Sequence, residues 1–340
     1  MFSIIEMPEL VMEKIIEFSD FKAVLTLRQV CRDFRNFIDD LNDSKLPDSK
    51  FAKIEIVSDK KENEIILDFV NSDNSYYRIE YSETENSRKF QETTKLFQNS
   101  NIVDVAIRDL ELILKFQKST LKRLFFSFQH FQLQNDSSVH TLPIKLSNLF
   151  HGLGRKIKTR KFIINTSDTS QIMTVLPFAS PEALETLKLY ALDGVEKKEV
   201  EIDEFAKTEQ WKKAERMDCG FRVLNLKVED ICHFSRLYIK VPSITARDLD
   251  FLRKTYISSS KFKNSVFNLM VFNEIEEITD LWGAAFTTGS STHSWYFRTK
   301  NSKEKILLIE FCPIPQVFFF KTIRPNFVWT GAIVHDYDEH

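Results

Sequence analysis

The sequence predicts a protein of the α+β or α/β class, with a helical N-terminal part followed by a larger part in which strands and helices alternate irregularly. Residues 7–39 repeat apolar side chains at three- and four-residue steps, which is the period of a helix. Beyond residue 50, apolar residues alternate or cluster over strand-like lengths, with Asp, Asn and Ser between the clusters. The change of period predicts the two parts.

Three short helices account for residues 7–39. Pro8 suits the first turn of the first helix, and Asp20 can cap the second. The third helix carries Phe34 and Ile38 on its inward face. Helices this short bury little apolar surface, so we expect them to pack against a partner or against the following domain.

The first strands are predicted as a small meander at 51–57, 64–70 and 76–81, whereas the polar residues 82–100 are expected to be partly disordered or helical. Further strands are predicted at 121–128, 160–165, 186–191, 221–228, 234–241, 266–272, 294–299 and 305–311. Helices are predicted between them near 144–153, 169–177, 204–216, 245–257 and 274–282. Thr245 can serve as the N-cap of the fourth of these helices.

An apolar-x-x-Leu-x-apolar pattern, or one close to it, recurs at the strand segments that start at 121, 184, 221, 234 and 266. This is the strand signature of leucine-rich solenoids. Because 43% of the residues are hydrophobic, such matches also arise by chance, and their spacing here is irregular. Two architectures stay open: a degenerate, leucine-rich-repeat-like solenoid, or an α/β sheet with helices on one side.

Composition and charge argue against several classes of protein. The net charge is -2, from 47 basic and 49 acidic side chains, so no overall field directs the protein to nucleic acid or to an anionic membrane.

The N-terminus lacks the basic and apolar regions of a signal peptide, and no segment is predicted to span a bilayer. Four cysteines without a C-x-x-C pair fit reduced thiols, so we expect a cytoplasmic and/or nuclear protein without a metal cluster. They are Cys31, Cys219, Cys232 and Cys312.

No group of residues predicts catalysis. The 7 glycines are few for phosphate-binding loops, and His-Gly-Leu-Gly at 151–154 is too short for a dinucleotide fingerprint and fits a helix end. Adjacent Cys232 and His233 at the start of a strand should point to opposite faces rather than act as nucleophile and base. Glu276 and Glu277 fit a solvated helix face. We therefore predict a non-catalytic protein without a cofactor or a metal.

The basic run Arg155, Lys156, Lys158, Arg160 and Lys161 is the best candidate in the sequence for contact with RNA or phosphate. Clustered cations of this kind release counterions from a nucleic-acid backbone. We favour a solvated loop, because the run is local and the neighbouring strand offers few exposed aromatic residues on which bases could stack.

Residues 7–39 resemble an F-box. The resemblance rests on Met7-Pro8, the helix from Glu9 to Phe18, Asp20, and the motif Leu25-x-Leu27-Arg28-x-Val30-Cys31-Arg32-x-Phe34-Arg35. Met7 stands where leucine is common in that family, and Phe34 where tryptophan is common; both substitutions keep apolar bulk. The resemblance implies docking on the Skp1 adaptor of a cullin-based ubiquitin ligase. The apolar positions it implies for that contact are Pro8, Leu10, Ile15, Phe18, Leu25, Leu27, Val30 and Phe34.

The remainder is similar to the FTH domain that follows F-boxes in a large nematode family, a domain regarded chiefly as a protein-interaction region. The similarity rests on Leu176-Pro177-x-x-x-x-Pro181-x-x-Leu184-x-x-Leu187, on the run from Thr208 to Ala214, and on His233-Phe234, Ile244 to Leu249 and Phe262. The predicted organisation is an F-box at 1–46, a strand-rich connecting region at 47–115, an FTH-like substrate-binding domain at 116–323 and a tail at 324–340.

The two resemblances together imply a substrate-recognition adaptor of an SCF-type (Skp1–cullin–F-box) E3 ubiquitin ligase. Its expected partners are a Skp1-like adaptor, a cullin reached through that adaptor, and an unidentified protein substrate. We expect neither nucleic acid nor a membrane as a partner. The alternative is a non-degradative scaffold that binds proteins or RNA-protein complexes.

Overall fold

A computed structural model describes residues 7–59, 63–129, 137–192, 198–287 and 291–337. The chain forms two compact units. The first comprises Met1–Phe162 and Ser170–Ala183, and the second comprises Ile163–Thr169 and Leu184–His340. The two units are defined by contacts within the chain and do not test the four domain ranges expected from the sequence. Those ranges stay predictions.

Three helices open the first unit, as predicted: α1 (Glu9–Phe18), α2 (Phe21–Val30) and α3 (Arg32–Asp40). The Asp20 side chain caps α2 by accepting a hydrogen bond from the backbone N–H of Ala23 at 2.7 Å. This confirms the cap expected from the sequence.

The α helices are followed by an antiparallel meander of β1 (Phe51–Asp59), β2 (Glu64–Asn71), β3 (Tyr76–Ser82), β4 (Ser87–Phe90) and β5 (Thr93–Leu96). The first three strands confirm the prediction. The expectation of disorder or helix over 82–100 is wrong, because β4 and β5 lie there. Every residue of β5 is exposed, so this strand is held by backbone pairing and has no apolar alternation by which a sequence could reveal it.

On its other side β1 pairs in parallel with β6 (Arg123–Phe128). Between β5 and β6 lies α4 (Ile102–Phe116), a long helix capped by the Asn101 side chain, which we did not predict. Its buried residues follow the helical period, so the signal was present in the sequence. Further on, α5 (Leu142–Gly152) and α6 (Ser170–Val175) confirm two predicted helices.

The N-terminal helices pack on the rest of the first unit. A buried cluster joins α1, α2 and α3 to α4 through Ile16, Val24, Ile38, Leu46 and Phe116. The ring of Phe21 meets the ring of Phe116 edge-on at 5.1 Å and the ring of Phe51 at 5.6 Å. The expectation that these short helices need support from elsewhere is therefore confirmed, and the support comes from the chain itself.

Strand β7 (Lys161–Thr166) has residues in both units. The second unit contains four parallel strands in sequence order, β8 (Thr186–Ala191), β10 (Arg216–Val223), β11 (Arg236–Val241) and β12 (Asn264–Leu269), with the short β9 (Glu199–Val200) beside the end of β10. Antiparallel strands β15 (Val317–Ile323), β14 (Ser302–Cys312) and β13 (His293–Thr299) continue from β12, and β16 (Val334–His335) pairs with β13.

Most predicted strands of this unit are confirmed, with two corrections. The strand expected at 221–228 is displaced, because it runs from Arg216 to Val223 and the chain then enters a 3-10 turn at Val228–Asp230. The single helix expected at 204–216 is in fact two helices, α7 (Asp203–Lys207) and α8 (Glu209–Lys213). Thr208 separates them because its hydroxyl accepts from the backbone N–H of Trp211 and so caps α8.

Helices pack on one face of this sheet. The hydroxyl of Tyr256 in α9 (Ala246–Ser258) lies 3.1 Å from that of Ser265 in β12, and Trp282 in α10 (Ile275–Trp282) meets Trp295 edge-on at 5.3 Å. Alternate residues of β8, β10, β11 and β12 point to this face and are buried. The other residues of these strands remain accessible to solvent, and we call the surface they form the open face. The mixed α/β class is thereby confirmed.

Candidate F-box interface and other candidate sites

The structure exposes half of the apolar residues expected to contact Skp1. Leu10 is 67% exposed, Phe18 83% and Val30 64%, and Pro8 is also exposed. A small module that leaves such large apolar side chains in water has the character of a protein interface, because burying them against a partner removes apolar area from water.

Helix α1 carries two apolar faces. Ile16 points into the core of the first unit. Leu10 and Phe18 lie two turns apart on an outward face, and Met7 and Val11, each 42% exposed, lie beside them. Val11 was not singled out in the sequence as part of this exposed face. The signal that could have found it is the one-turn step from Met7 to Val11, adjacent to Leu10.

The other predicted contact residues lie deeper. Ile15, Leu25 and Leu27 are half-buried, and the two leucines pack against the cluster around Val24. Phe34 is only 4% exposed. In this chain Leu25 and Leu27 help to hold the three helices together, and the contact of all four residues with Skp1 stays a prediction.

Ion pairs fix the arrangement of the helices. Arg28 in α2 donates two hydrogen bonds to Asp39 in α3, at 2.7 and 2.8 Å, in a bidentate pair. Lys45, after α3, pairs with Glu13 in α1. A bidentate geometry defines orientation as well as adding energy, so the exposed apolar residues are presented on a fixed frame.

Comparison with family models identifies both parts of the chain. The model described as F-box domain matches residues 4–46, and the model described as FTH domain matches residues 140–279. The chain is an F-box protein with an FTH domain. No curated protein and no solved structure matches it. An F-box in general binds Skp1, so the exposed apolar residues of α1 and α2 lie in the domain through which such binding occurs.

A cleft of about 1040 Å³ opens in the first unit, between α2 of the F-box and the meander. Its lining includes Phe21 and Lys22 from the F-box, and Phe69 and Tyr77 from the meander. The ammonium of Lys22 lies 5.0 Å from the centre of the Tyr77 ring. This cation–π contact links the two walls of the cleft.

The acidic groups of the cleft are engaged within the protein. Asp109 accepts hydrogen bonds from the hydroxyl of Tyr81 at 2.8 Å and pairs with Arg88 at 2.9 Å. Burial raises the pKa of Tyr81 well above its usual value, so its hydroxyl stays protonated. Burial would also raise the pKa of Asp48, but backbone N–H groups, first that of Lys118, outweigh it and hold this pKa below its usual value. These carboxylates stabilise the fold.

The adjacent Cys232 and His233 do not form a nucleophile and base. The thiol of Cys232 donates to the carbonyl of Glu229 at 3.4 Å, whereas the imidazole Nε2 of His233 lies 3.0 Å from the carbonyl of Trp211. Burial raises the pKa of the Cys232 thiol and lowers the pKa of His233. Both groups are therefore neutral near pH 7, the opposite of an activated thiolate and imidazolium.

The remaining candidates from the sequence either take part in local structure or are exposed to solvent. In the basic run, Arg155 donates to the carbonyl of Gln117 at 3.0 Å just past the end of α4, while Lys156 and Lys158 are exposed. Residues 151–154 are the end of α5 and the turn after it, as expected, with Gly154 at a φ of 62°. Glu276 and Glu277 are exposed in the first turn of α10.

Over the ranges that the structure describes, His, Cys, Asp and Glu do not assemble into a group able to hold a metal ion. Among the same residues, the helices lack the combined length and apolarity that crossing a bilayer requires.

Proposed function

We propose that this F-box protein is a substrate-recognition adaptor of an SCF-type E3 ubiquitin ligase. Its F-box binds a Skp1-like adaptor and reaches a cullin through it, and its FTH domain holds a target protein. The protein contributes proximity, because it brings the target's lysines to chemistry carried out by another subunit. The observation that supports the proposal is the exposed apolar face of α1, within the residues matched by the F-box model.

Co-purification with Skp1 tests the first half of this proposal. Leu10→Asp combined with Phe18→Asp places two carboxylates on the exposed face of α1 without touching the buried cluster. We expect the double variant to lose Skp1. Ile144→Asp is the matched control, because Ile144 is an exposed apolar residue of α5, 62% exposed, outside the F-box. Retention of Skp1 by the double variant would contradict the proposal.

A non-degradative scaffold is the second candidate. One observation favours it: the F-box helices share a core with α4 through Phe116, so they also stabilise the unit that carries them. Target turnover separates the two functions. The adaptor requires that a bound protein live longer in cells that express the Leu10→Asp, Phe18→Asp variant, whereas a scaffold predicts the same lifetime with both forms.

We also propose that the protein acts in the cytoplasm, the nucleus or both. All four cysteines are free thiols, as expected of a reducing compartment. Fractionation of cells that express the tagged chain tests this assignment, and recovery from the secretory pathway would overturn it.

A further inference from the structure

The open face of the second unit is rich in basic side chains. The face continues past β12, because Lys188 lies opposite Asp218, Asp218 opposite Tyr238, Tyr238 opposite Val266, Val266 opposite Phe319 and Phe319 opposite Glu310. Glu199 of β9, Lys321 of β15 and Glu310 of β14 therefore also belong to the open face. Six charged residues of this face are basic, namely Lys188, Arg216, Arg222, Arg236, Lys240 and Lys321. Three are acidic, namely Asp218, Glu199 and Glu310.

Two pairs of like charge lie directly across from each other on this face. Arg216 of β10 is opposite Arg236 of β11, and Arg222 is opposite Lys240. Like charges at opposed positions of neighbouring strands destabilise a sheet. The fold therefore holds an arrangement that costs free energy in the unbound protein and that an anionic partner would relieve.

The chain itself neutralises only part of this charge. Lys188 is bound by Asp218 at 2.6 Å, and Arg222 lies 3.6 Å from Glu199. Among the described residues, Arg236, Lys240 and Lys321 have no ion-pair partner, and Arg236 and Lys321 are exposed. The buried Nε of Arg216 has no hydrogen-bond partner within those same residues, so a donor on this face is left unsatisfied.

Aromatic side chains lie between the cations. The Tyr190 ring lies on Gly220, where a Cβ would come within 2.9 Å of the ring's Cδ1. The Tyr190 hydroxyl bonds to Asp218, and the Tyr238 hydroxyl accepts from the Asn268 amide at 3.2 Å. These bonds hold the rings in place, so a partner that packs on them immobilises few additional side chains.

The chain covers the far end of the same face. On β13 and β14, Tyr296, Ile306 and Leu308 are buried under a C-terminal segment that includes Val328 and Val334. Within the part of the chain that the structure describes, the alternate side chains of β8, β10, β11 and β12 on this face remain accessible and lack such a cover.

We infer that the open face binds an acidic segment of a protein partner, with carboxylates placed against the two opposed cation pairs and side chains packed on the tyrosines. We favour a peptide over a nucleic acid because the face also carries acidic residues and the whole chain has a slight negative charge, both of which disfavour a phosphate backbone. The identification of this partner with the ligase target rests on the function proposed above.

Fluorescence anisotropy of the full chain in complex with Skp1 tests the inference. The probes are a labelled alternating Glu-Tyr peptide, its Lys-Tyr counterpart and a uridine-rich single-stranded RNA of similar length. Arg236→Glu with Lys321→Glu reverses two exposed charges on the open face. Lys303→Glu with Lys305→Glu makes the same charge change at exposed positions of β14 outside this face.

We expect the wild type to bind the Glu-Tyr peptide and not the Lys-Tyr peptide, and the open-face variant to bind it about tenfold more weakly or worse. The control variant should stay within about twofold. Absence of peptide binding by the wild type, or equal losses in both variants, would overturn the inference. So would RNA binding that is stronger than peptide binding and is lost in the open-face variant. If the wild type and the variants still bind Skp1, the F-box function is intact. A failure to bind the peptide then concerns the open face alone.

Discussion

Asp250 connects α9 and α10 in the second unit. Its carboxylate accepts hydrogen bonds from Arg253 at 2.8 Å and from the indole of Trp282 at 3.0 Å. Arg253 is 1% exposed in its side chain, and its guanidinium lies 4.8 Å from the centre of the Phe297 ring. Among the described residues, Asp250 is the carboxylate that pairs with this buried guanidinium, so it is important for stability.

Replacing Asp250 by Ala should lower the free energy of unfolding by about 3–5 kcal/mol, because it leaves the charge of Arg253 buried without a partner. Urea denaturation of both proteins measures the difference. Asp280→Ala is the control, since Asp280 is exposed in α10, and its effect should stay within about 0.5 kcal/mol. Similar losses in the two variants would show that the buried pair is not what stabilises this region.

Acid should weaken the second unit partly through Asp250. Burial would raise the pKa of this carboxyl, but the bonds from Lys254, Arg253 and Trp282 outweigh it and hold its pKa below the ordinary 3.8. A lowered pKa contributes stability above the unfolded value, and that stability is lost as pH falls through the native value. Asp250→Asn should therefore show a smaller loss of stability than the wild type below about pH 4. Parallel pH profiles for the two proteins would contradict this assignment.

Strands β10 and β11 of the second unit place like charges opposite each other, which opposes the pairing of these strands. Arg236→Glu should convert the contact with Arg216 from repulsion to attraction and raise the free energy of unfolding by about 0.2–1 kcal/mol. Thermal denaturation at low ionic strength checks the sign, and added salt should reduce the gain. A variant less stable than the wild type would mean that the opposed cations do not repel each other in the native protein.

The elements that were predicted correctly are those with apolar periodicity, although α4 was missed despite its helical period. The helices at the N-terminus and α9, with its cap at Thr245, follow from spacing alone. Strand β5 escaped prediction because all its residues are exposed, and the division of α7 from α8 depends on one hydroxyl at Thr208. The open face escaped as a site because its charges become neighbours only through strand register, which the sequence does not display.

At the scale of the whole molecule, the F-box both exposes apolar residues and packs into the first unit. Its outward residues are exposed, whereas its inner cluster includes Phe116 of α4. The predicted positions Leu25 and Leu27 belong to this inner packing, so their replacement would disturb folding together with binding. The sequence predicted the F-box domain correctly, but it could not separate exposed apolar residues from core residues because both are apolar.

Phe116→Ala should loosen the F-box from the first unit, at a cost of about 3–5 kcal/mol for a buried phenylalanine. Limited proteolysis should then cleave the chain between α3 and β1 sooner than in the wild type. Ile113→Val, a milder change on the same helix, provides the comparison. Equal cleavage rates in all three proteins would indicate that the F-box does not depend on α4.

Hydrogen–deuterium exchange with and without Skp1 tests the central claim most directly, because it locates the contact as well as detecting it. We predict that Skp1 slows exchange in α1 and α2 of the F-box and leaves the strands of the open face unchanged. Unaltered exchange in both F-box helices at saturating Skp1, or protection confined to the second unit, would contradict the account.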